Sequence, residues 1–424
     1  MESVCQTLEK QQIIHVEMEQ DILDCHPDDY DIISDEELKQ FKTAIEEGDL
    51  SEAAAKLMES LDLIENAKLD IAITGESGSG KSTFVNAIRG VEDEDEGSAE
   101  TGVVETTMAP TPYPHPQHQN VTVWDLPGIG TEIFQSVFYL KQVCFERYDF
   151  FIIIATERFK SNHAKLAREI HKMGKKFYFV RSKVDADLDA SKRRRKSTYD
   201  EKKIMQQIRD NCIECLKKEG VESPRVYLLS CFELNKYDFG LLEDTLEKEL
   251  PSHKRHTFLL SLPNISINIL EKKKELMKKQ IWKVASMSCA IAAVPVPGLS
   301  IACDLILLKN CLSHYCKSFG VDEESVEKLA RKVDMPVADL KSVIESPLPK
   351  EITNDLLIKL LAGSTVFGVA SATEELMRFI PMFGSVVSGG ISFGTTYYML
   401  NKFLNDVAED AQRLLRKSML GTTV

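Results

Sequence analysis

The hydrophobic pattern changes character twice along the chain. The first 30 residues show weak periodicity, and then helical spacing sets in. Ser34-Asp35-Glu36-Glu37 reads as a capping box, followed by Leu38, Phe41 and Ile45 and a stop at Gly48. Asp49 to Glu52 opens a second helix carrying Ala53, Leu57, Leu61 and Ile64. From Leu69 the texture becomes short β-rich runs, at Leu69–Thr74, Val121–Leu126, Phe150–Ala155, Lys176–Arg181 and Arg225–Ser230. Helical stretches alternate with them: Phe84–Arg89, Asn162–Met173 ended by Gly174, and Asp200–Glu219 ended by Gly220. Strands alternating with helices predict a mostly parallel sheet covered on both faces.

After Pro251 no strand signal remains. Two charge-free runs, Val284–Cys303 and Phe379–Asn401, are long enough to cross a bilayer. Each is broken by Pro and Gly, at Pro295-Val296-Pro297-Gly298 and at Pro381-Met382-Phe383-Gly384. The breaks leave short arms, so the expectation is two helix–turn–helix hairpins buried in a bundle. Leu356–Phe379 reads as a further apolar helix. The boundaries that follow are 1–66, an acidic helical segment; 67–250, the α/β domain; and 251–424, a helical domain.

Charge sharpens this division. The chain of 424 residues has a net charge of −14, a poor match to a nucleic-acid surface. Residues 1–66 carry 19 acids against 4 bases, residues 67–250 carry 30 against 27, and residues 251–424 carry 17 against 21. The only positive segment is therefore the one with the long apolar helices. Met1-Glu2-Ser3-Val4 runs into polar, acidic sequence, so a cytosolic chain with ten reduced cysteines is expected. Cys212 and Cys215 form a CxxC inside a predicted helix, with no second pair or His cluster at zinc spacing.

The chemistry begins where the first strand ends. Gly75-Glu76-Ser77-Gly78-Ser79-Gly80-Lys81-Ser82-Thr83 fits the phosphate-binding pattern GxxxxGK[ST], between a strand and a helix. The glycines let backbone N–H groups fold round phosphates, and the helix N-terminus adds a favourable dipole. Lys81 is placed to neutralise the β- and γ-phosphates, and the Ser82 hydroxyl to ligate Mg²⁺.

A second motif chooses the base. Ser182-Lys183-Val184-Asp185 closes the strand Lys176–Arg181, 58 residues beyond Asp125 to Lys183. A carboxylate at Asp185 can accept from the guanine N1–H and 2-amino groups, a pair that adenine does not offer. The Lys183 stem can pack along the purine. The pattern resembles the [NT]KxD motif of GTPases, with Ser182 in place of Asn or Thr; the supporting hydrogen bond is left open, the carboxylate is not. Ser230 is the candidate for the last base-contacting loop.

Asp125-Leu126-Pro127-Gly128 resembles the DxxG switch motif, with Asp125 holding Mg²⁺ through water and the Gly128 N–H meeting the γ-phosphate. Thr106 and Thr107 both lie where a metal-binding threonine is expected, and spacing alone does not choose between them. Ras-type GTPases orient the attacking water with a Gln soon after DxxG. Here Ile129-Gly130-Thr131 follows, and no Gln appears before Gln135. Slow intrinsic hydrolysis is expected, completed by another molecule, with Glu105 and Glu76 as nearby polar groups.

These motifs resemble the immunity-related (interferon-inducible) GTPases, together with Gly102-Val103-Val104-Glu105, Thr111-Pro112-Tyr113-Pro114-His115-Pro116, Trp124-Asp125-Leu126-Pro127-Gly128-Ile129-Gly130, Tyr148-Asp149-Phe150-Phe151 and Pro295-Val296-Pro297-Gly298-Leu299-Ser300. The likeness covers about the whole chain, and Lys81-Ser82 is similar to the GKS branch. It implies a P-loop GTPase domain with a mostly parallel six-stranded sheet, and an all-α domain built from N- and C-terminal segments. It implies GTP/GDP and Mg²⁺ as ligands, with Ser82, Thr107 and Asp125 at the metal. Lys81, Glu105, Thr107 and Gly128 then serve hydrolysis, Glu105 across a dimer, and Thr101 and Thr107 lie in switch I. It further implies a homo-oligomer through the GTPase faces, and a cytoplasmic protein in peripheral contact with intracellular membranes, acting in cell-autonomous defence. Two rivals stand beside it: a nucleotide-switched trafficking scaffold with little turnover, and an ATP-dependent P-loop enzyme. For the membrane, Leu356–Phe379 is the candidate contact; Lys192–Lys196 reads first as a solvated loop beside the base site and second as a contact for acidic lipid headgroups.

Overall fold

A computed structural model describes residues 67–102, 107, 109–129, 136–292, 299–346 and 387–421. These form two compact units, Glu65–Ile269 and the helices from Leu270 onward.

The first unit is built on a six-stranded sheet. Its strands are β1 (Leu69–Gly75), β2 (Thr111–Pro114), β3 (Val121–Asp125), β4 (Phe150–Ala155), β5 (Lys176–Arg181) and β6 (Val226–Leu228). The spatial order is β2-β3-β1-β4-β5-β6. All neighbours pair in parallel except β2, which runs antiparallel to β3. All six side chains of β4 are buried, as expected of a strand covered on both faces. The five strands legible in the sequence all form. The sixth, β2, was concealed by Pro112 and Pro114. Proline cannot donate to a ladder on both sides, so such a segment is confined to a sheet edge, where β2 lies.

Helices fill the crossovers. They are α1 (Lys81–Ile88), α2 (Ser136–Gln142), α3 (Ser161–Lys172), α4 (Val184–Arg194), α5 (Glu201–Lys218), α6 (Phe239–Glu249) and α7 (Ser252–Ser261). Asp200 caps α5 by accepting from the Lys203 N–H at 3.1 Å. One reading is corrected here. Lys192, Arg193 and Arg194 are not loop but the last turn of α4, where positive charge suits the helix C-terminus.

The second unit holds α8 (Ile267–Ala292, which starts in the first), α9 (Leu299–Phe319), α10 (Glu323–Lys332), α11 (Val337–Lys341) and α12 (Val387–Gly421). Leu400, Leu404, Val407, Ala411 and Leu414 form a buried stripe at helical spacing on α12, which packs on α9. Asp410 is buried but paired: it accepts from the Glu345 and Ser346 N–H groups at 2.9 and 3.1 Å and from Arg413 at 2.6 Å. Among the described residues, no helix is long and apolar enough to cross a membrane. The first expected hairpin has helical arms in α8 and α9, while its Pro-Gly turn at 293–298 lies outside the described residues. So do the helices expected before residue 67, the segment Leu356–Phe379 and the Pro-Gly break of the second run.

Candidate nucleotide site

The sheet order places the site. β1 lies between β3 and β4: the chain runs to one side of it for β3 and then crosses to the other for β4, a reversal of strand order that opens a crevice at the strand C-termini. Every motif read from the sequence ends at that crevice: the P-loop after β1, Asp125 at the end of β3, Ser182 after β5 and Ser230 after β6.

Gly75 is the tightest point. A Cβ there would run into the Ile154 carbonyl oxygen of β4, and its φ of 150° is one L side chains rarely adopt. Ser77 and Gly78 are exposed at the loop tip, and the Ser79 N–H closes a turn on the Glu76 carbonyl at 3.2 Å. Gly80, left-handed at φ 87°, precedes α1, and no side chain caps the helix, so its first N–H groups face the loop. Lys81 is buried and donates to the Glu76 carbonyl at 3.1 Å; Thr83 is half-buried on α1.

Three oxygens meet beside Lys81. The Ser82 hydroxyl donates to Asp125 Oδ2 at 2.6 Å, and the Thr107 hydroxyl donates to the same oxygen at 3.0 Å. Thr107 is thus brought to this carboxylate, whereas Thr101 donates to Asp93 at 2.7 Å and Thr106 lies outside the described residues. Asp125 is fully buried, and its Oδ1 accepts no hydrogen bond among the described residues. Burial pushes its carboxyl above the usual carboxylate range, opposed by the two hydroxyls and Lys81. An orphaned carboxylate oxygen next to two hydroxyls is a hard-oxygen set, the donor chemistry that Mg²⁺ takes.

The switch strand is held against the P-loop. The Leu126 N–H bonds Ile73 and the Ile129 N–H bonds Gly75, at 3.0 and 3.1 Å. Tyr139 donates to the Pro127 carbonyl at 2.9 Å. Gly128 therefore sits between two anchored residues. Glu105 lies outside the described residues.

On the base side, Ser182 makes the supporting bond left open by its unusual identity: its hydroxyl lies 2.8 Å from the Ser79 carbonyl. Lys183 takes a left-handed φ of 59°, and its Nζ reaches the Gly78 carbonyl at 3.1 Å, which lays its stem across the P-loop. The Val184 N–H bonds Leu229 at 3.3 Å, joining the two base loops. Asp185 stands in the first turn of α4 with Oδ1 unpartnered, and the buried Ser230 hydroxyl is unpartnered too, both among the described residues. Burial, with the Asp185 charge nearby, pushes the Cys231 thiol up to about 12. It stays a neutral wall of this pocket at physiological pH.

A family profile described as Interferon-inducible GTPase (IIGP) matches residues 34–418. The chain belongs to the interferon-inducible GTPase family. Interferon-inducible GTPase 5 of Rattus norvegicus is 48% identical over 92% of this chain and 84% of its own length. Interferon-gamma-inducible GTPase 10 of Mus musculus is 42% identical over 92% of this chain and 90% of its own. Immunity-related GTPase family M protein 1 of Mus musculus is 34% identical over 80% and 78%. The chain is thus a GTPase: it binds GTP and GDP and hydrolyses GTP.

The GTPase also brings in residues that no motif announced. Lys160, just before α3, forms an ion pair with Glu76 of the P-loop at 2.8 Å. Asn162 donates to the Ile129 carbonyl at 3.3 Å. His163 is fully buried, and its Nδ1 accepts from the Lys160 N–H at 3.1 Å. Burial lowers its pKa to about 4, so its ring is neutral at physiological pH. The loop after β4 therefore grips both the P-loop and the switch strand. Lys160 and Glu76 are 84 residues apart, and only the parallel pairing of β1 with β4 brings them together.

Proposed function

We propose that this GTPase works by self-assembly: slow alone, it is completed by a second copy and acts peripherally on intracellular membranes, in innate, cell-autonomous defence. The observation that carries the reading is the switch strand. Ile129 follows Gly128 and is buried, and no Gln stands before Gln135, so the usual water-orienting side chain is missing from its usual place.

The roles follow from the chemistry of each group. The P-loop residues Gly75 to Thr83 cradle the phosphates, and Lys81 compensates their charge. Ser82, Thr107 and Asp125 hold Mg²⁺, which when bound neutralises charge on the β- and γ-phosphate oxygens. The Gly128 N–H faces the γ-phosphate. Asp185 reads the guanine edge, Lys183 covers its face and Ser230 lines its floor. Glu105 is the group we assign to the attacking water, across the interface between copies.

The test is GTP turnover against protein concentration with light scattering in parallel, for wild type and Lys81→Ala. Specific activity should climb steeply with concentration, together with scattering, and Lys81→Ala should lose turnover by on the order of 10²–10³-fold. A flat, near-zero rate would favour a nucleotide-switched trafficking scaffold. Anionic vesicles added to the same samples should carry the GTP-loaded protein upward in a density gradient. Protein left at the bottom with every nucleotide would remove the membrane part of the reading. Its support is the net positive, apolar segment 251–424.

A further inference from the structure

The longest basic run in the chain has no part in the nucleotide site. Lys192-Arg193-Arg194-Arg195-Lys196 spans the last turn of α4 and the turn after it, and all five side chains are exposed. None of the five is ion-paired among the described residues, although residues 67–250 carry more acids than bases overall. Ser197 and Thr198 follow directly, both exposed. The Thr198 N–H bonds back to the Arg195 carbonyl at 3.1 Å, a single turn before Asp200 caps α5.

We infer that Ser197 is a phosphorylation site for a basophilic serine/threonine kinase, one whose acidic substrate groove pairs with Arg194 and Arg195. These arginines stand three and two residues before the hydroxyl. Planar guanidinium groups at that spacing make bidentate, charge-assisted bonds to carboxylates. In the reaction the bond between the γ-phosphorus of ATP and the oxygen shared with ADP breaks. A bond from Ser197 Oγ to that phosphorus forms, and the hydroxyl proton passes to the kinase's catalytic carboxylate.

Exposure and the arginine pair separate this hydroxyl from its competitors. Thr198 is exposed too, but the pair before it, Arg195-Lys196, offers one guanidinium where Ser197 has two. Two more Ser or Thr hydroxyls follow adjacent basic pairs among the described residues. Thr257 follows Lys254-Arg255 but is 4% exposed within α7, and Ser418 follows Arg416-Lys417 but is 5% exposed within α12. A kinase needs its substrate extended, and neither helix can offer that without unpacking. At Ser197 only the last turn of α4 has to open, and its crowded like charges already weaken it.

The product has its own rationale. A phosphoserine brings about −1.5 to −2 charges into a cluster of five cations, and the arginines that recruited the kinase can then hold the phosphate. The modification lowers the charge of an uncompensated basic knob from five to about three. Asp185 lies near the opposite end of α4, nine residues before Arg194 and roughly 14 Å away along the axis. GTP binding should therefore be the same before and after.

The experiment incubates the full-length chain with the catalytic subunit of a cyclic-nucleotide-dependent protein kinase and Mg-ATP, and maps phosphate by peptide mass spectrometry. Wild type should take up about one phosphate, on Ser197, and Ser197→Ala should lose it while binding GTP normally. Arg194→Gln and Arg195→Gln should each slow incorporation on the order of 10-fold, through loss of one charge-assisted pair. No incorporation into folded wild type, or equal incorporation into Ser197→Ala, would overturn the assignment.

Discussion

The two halves of the nucleotide site are wired differently. On the base side, the loops after β5 and β6 are tied to the P-loop and to each other by Ser182 to Ser79, Lys183 to Gly78 and Val184 to Leu229. The groups left over there, Asp185 Oδ1 and the Ser230 hydroxyl, suit a base edge. On the hydrolysis side, Ser82 and Thr107 both rest on a single carboxylate oxygen, and Asp125 Oδ1 is left over. Its hydroxyls already use their protons on a group that a cation would take from them. The base-side loops are thus preassembled, while on our reading the phosphate side awaits rearrangement by ligands and by a second copy. A site of this kind can hold nucleotide firmly and still turn it over slowly.

Asp185→Asn is the strongest way to break the base half alone. The amide offers a donor where guanine also donates, so charge-assisted bonds are lost and two donors confront each other. Such bonds are worth about 1.5–3 kcal/mol, so GTP affinity should fall on the order of 10–100-fold. Xanthosine triphosphate, with an acceptor at that edge, should bind the variant better than GTP. Titration with fluorescent GTP and competition by the two nucleotides measures both. Unchanged GTP affinity would mean that the Asp185 carboxylate does not read the base.

The clasp between the P-loop and the switch strand should be sensitive to acid. His163 has a folded pKa of about 4, against an ordinary value near 6.5, because burial penalises the imidazolium. Between those values the unfolded chain binds more protons, so the stability this neutral ring supports is present above pH 6.5 and declines as pH falls toward 4. Going from pH 7 to pH 5 should cost about 2 kcal/mol, read as a lower urea midpoint. His163→Asn keeps an acceptor for the Lys160 N–H and cannot titrate, so its midpoint should depend less on pH over that interval. An equal pH dependence in the variant would place the acid sensitivity elsewhere.

How legible each feature was in the sequence follows the same division. β4 was readable because a buried parallel strand is an unbroken apolar run, and β1 and β5 because each holds a short β-rich stretch, Ile71–Ile73 and Phe177–Val180. The edge strand β2 was not, since its two prolines look like a loop until one sees that only β3 pairs with it. The helix α4 was hidden because it buries only Val184 and Leu188, too few positions to show a period. Phosphate and base motifs are local in sequence, so their spacing exposed them. The Lys160, Asn162 and His163 clasp has no such signal, because its partners Glu76 and Ile129 lie on other strands' loops. The base-site serine is an intermediate case: its place was legible, and its bond to the Ser79 carbonyl was not.

That bond gives the smallest and most discriminating test of the comparison. Ser182→Ala removes a buried hydroxyl that donates to the Ser79 carbonyl, and leaves Lys183 and Asp185 intact. A net hydrogen bond of this kind is worth about 0.5–1.5 kcal/mol. If it chiefly ties the base loop to the P-loop, GTP and GDP should both bind a few-fold more weakly, because both need the loops aligned. Turnover at saturating GTP should stay within about twofold, since the loss falls on ground state and transition state alike. A fall in saturated turnover without a change in affinity would show instead that the base loop and the hydrolysis half are mechanically one, and would dissolve the distinction between them.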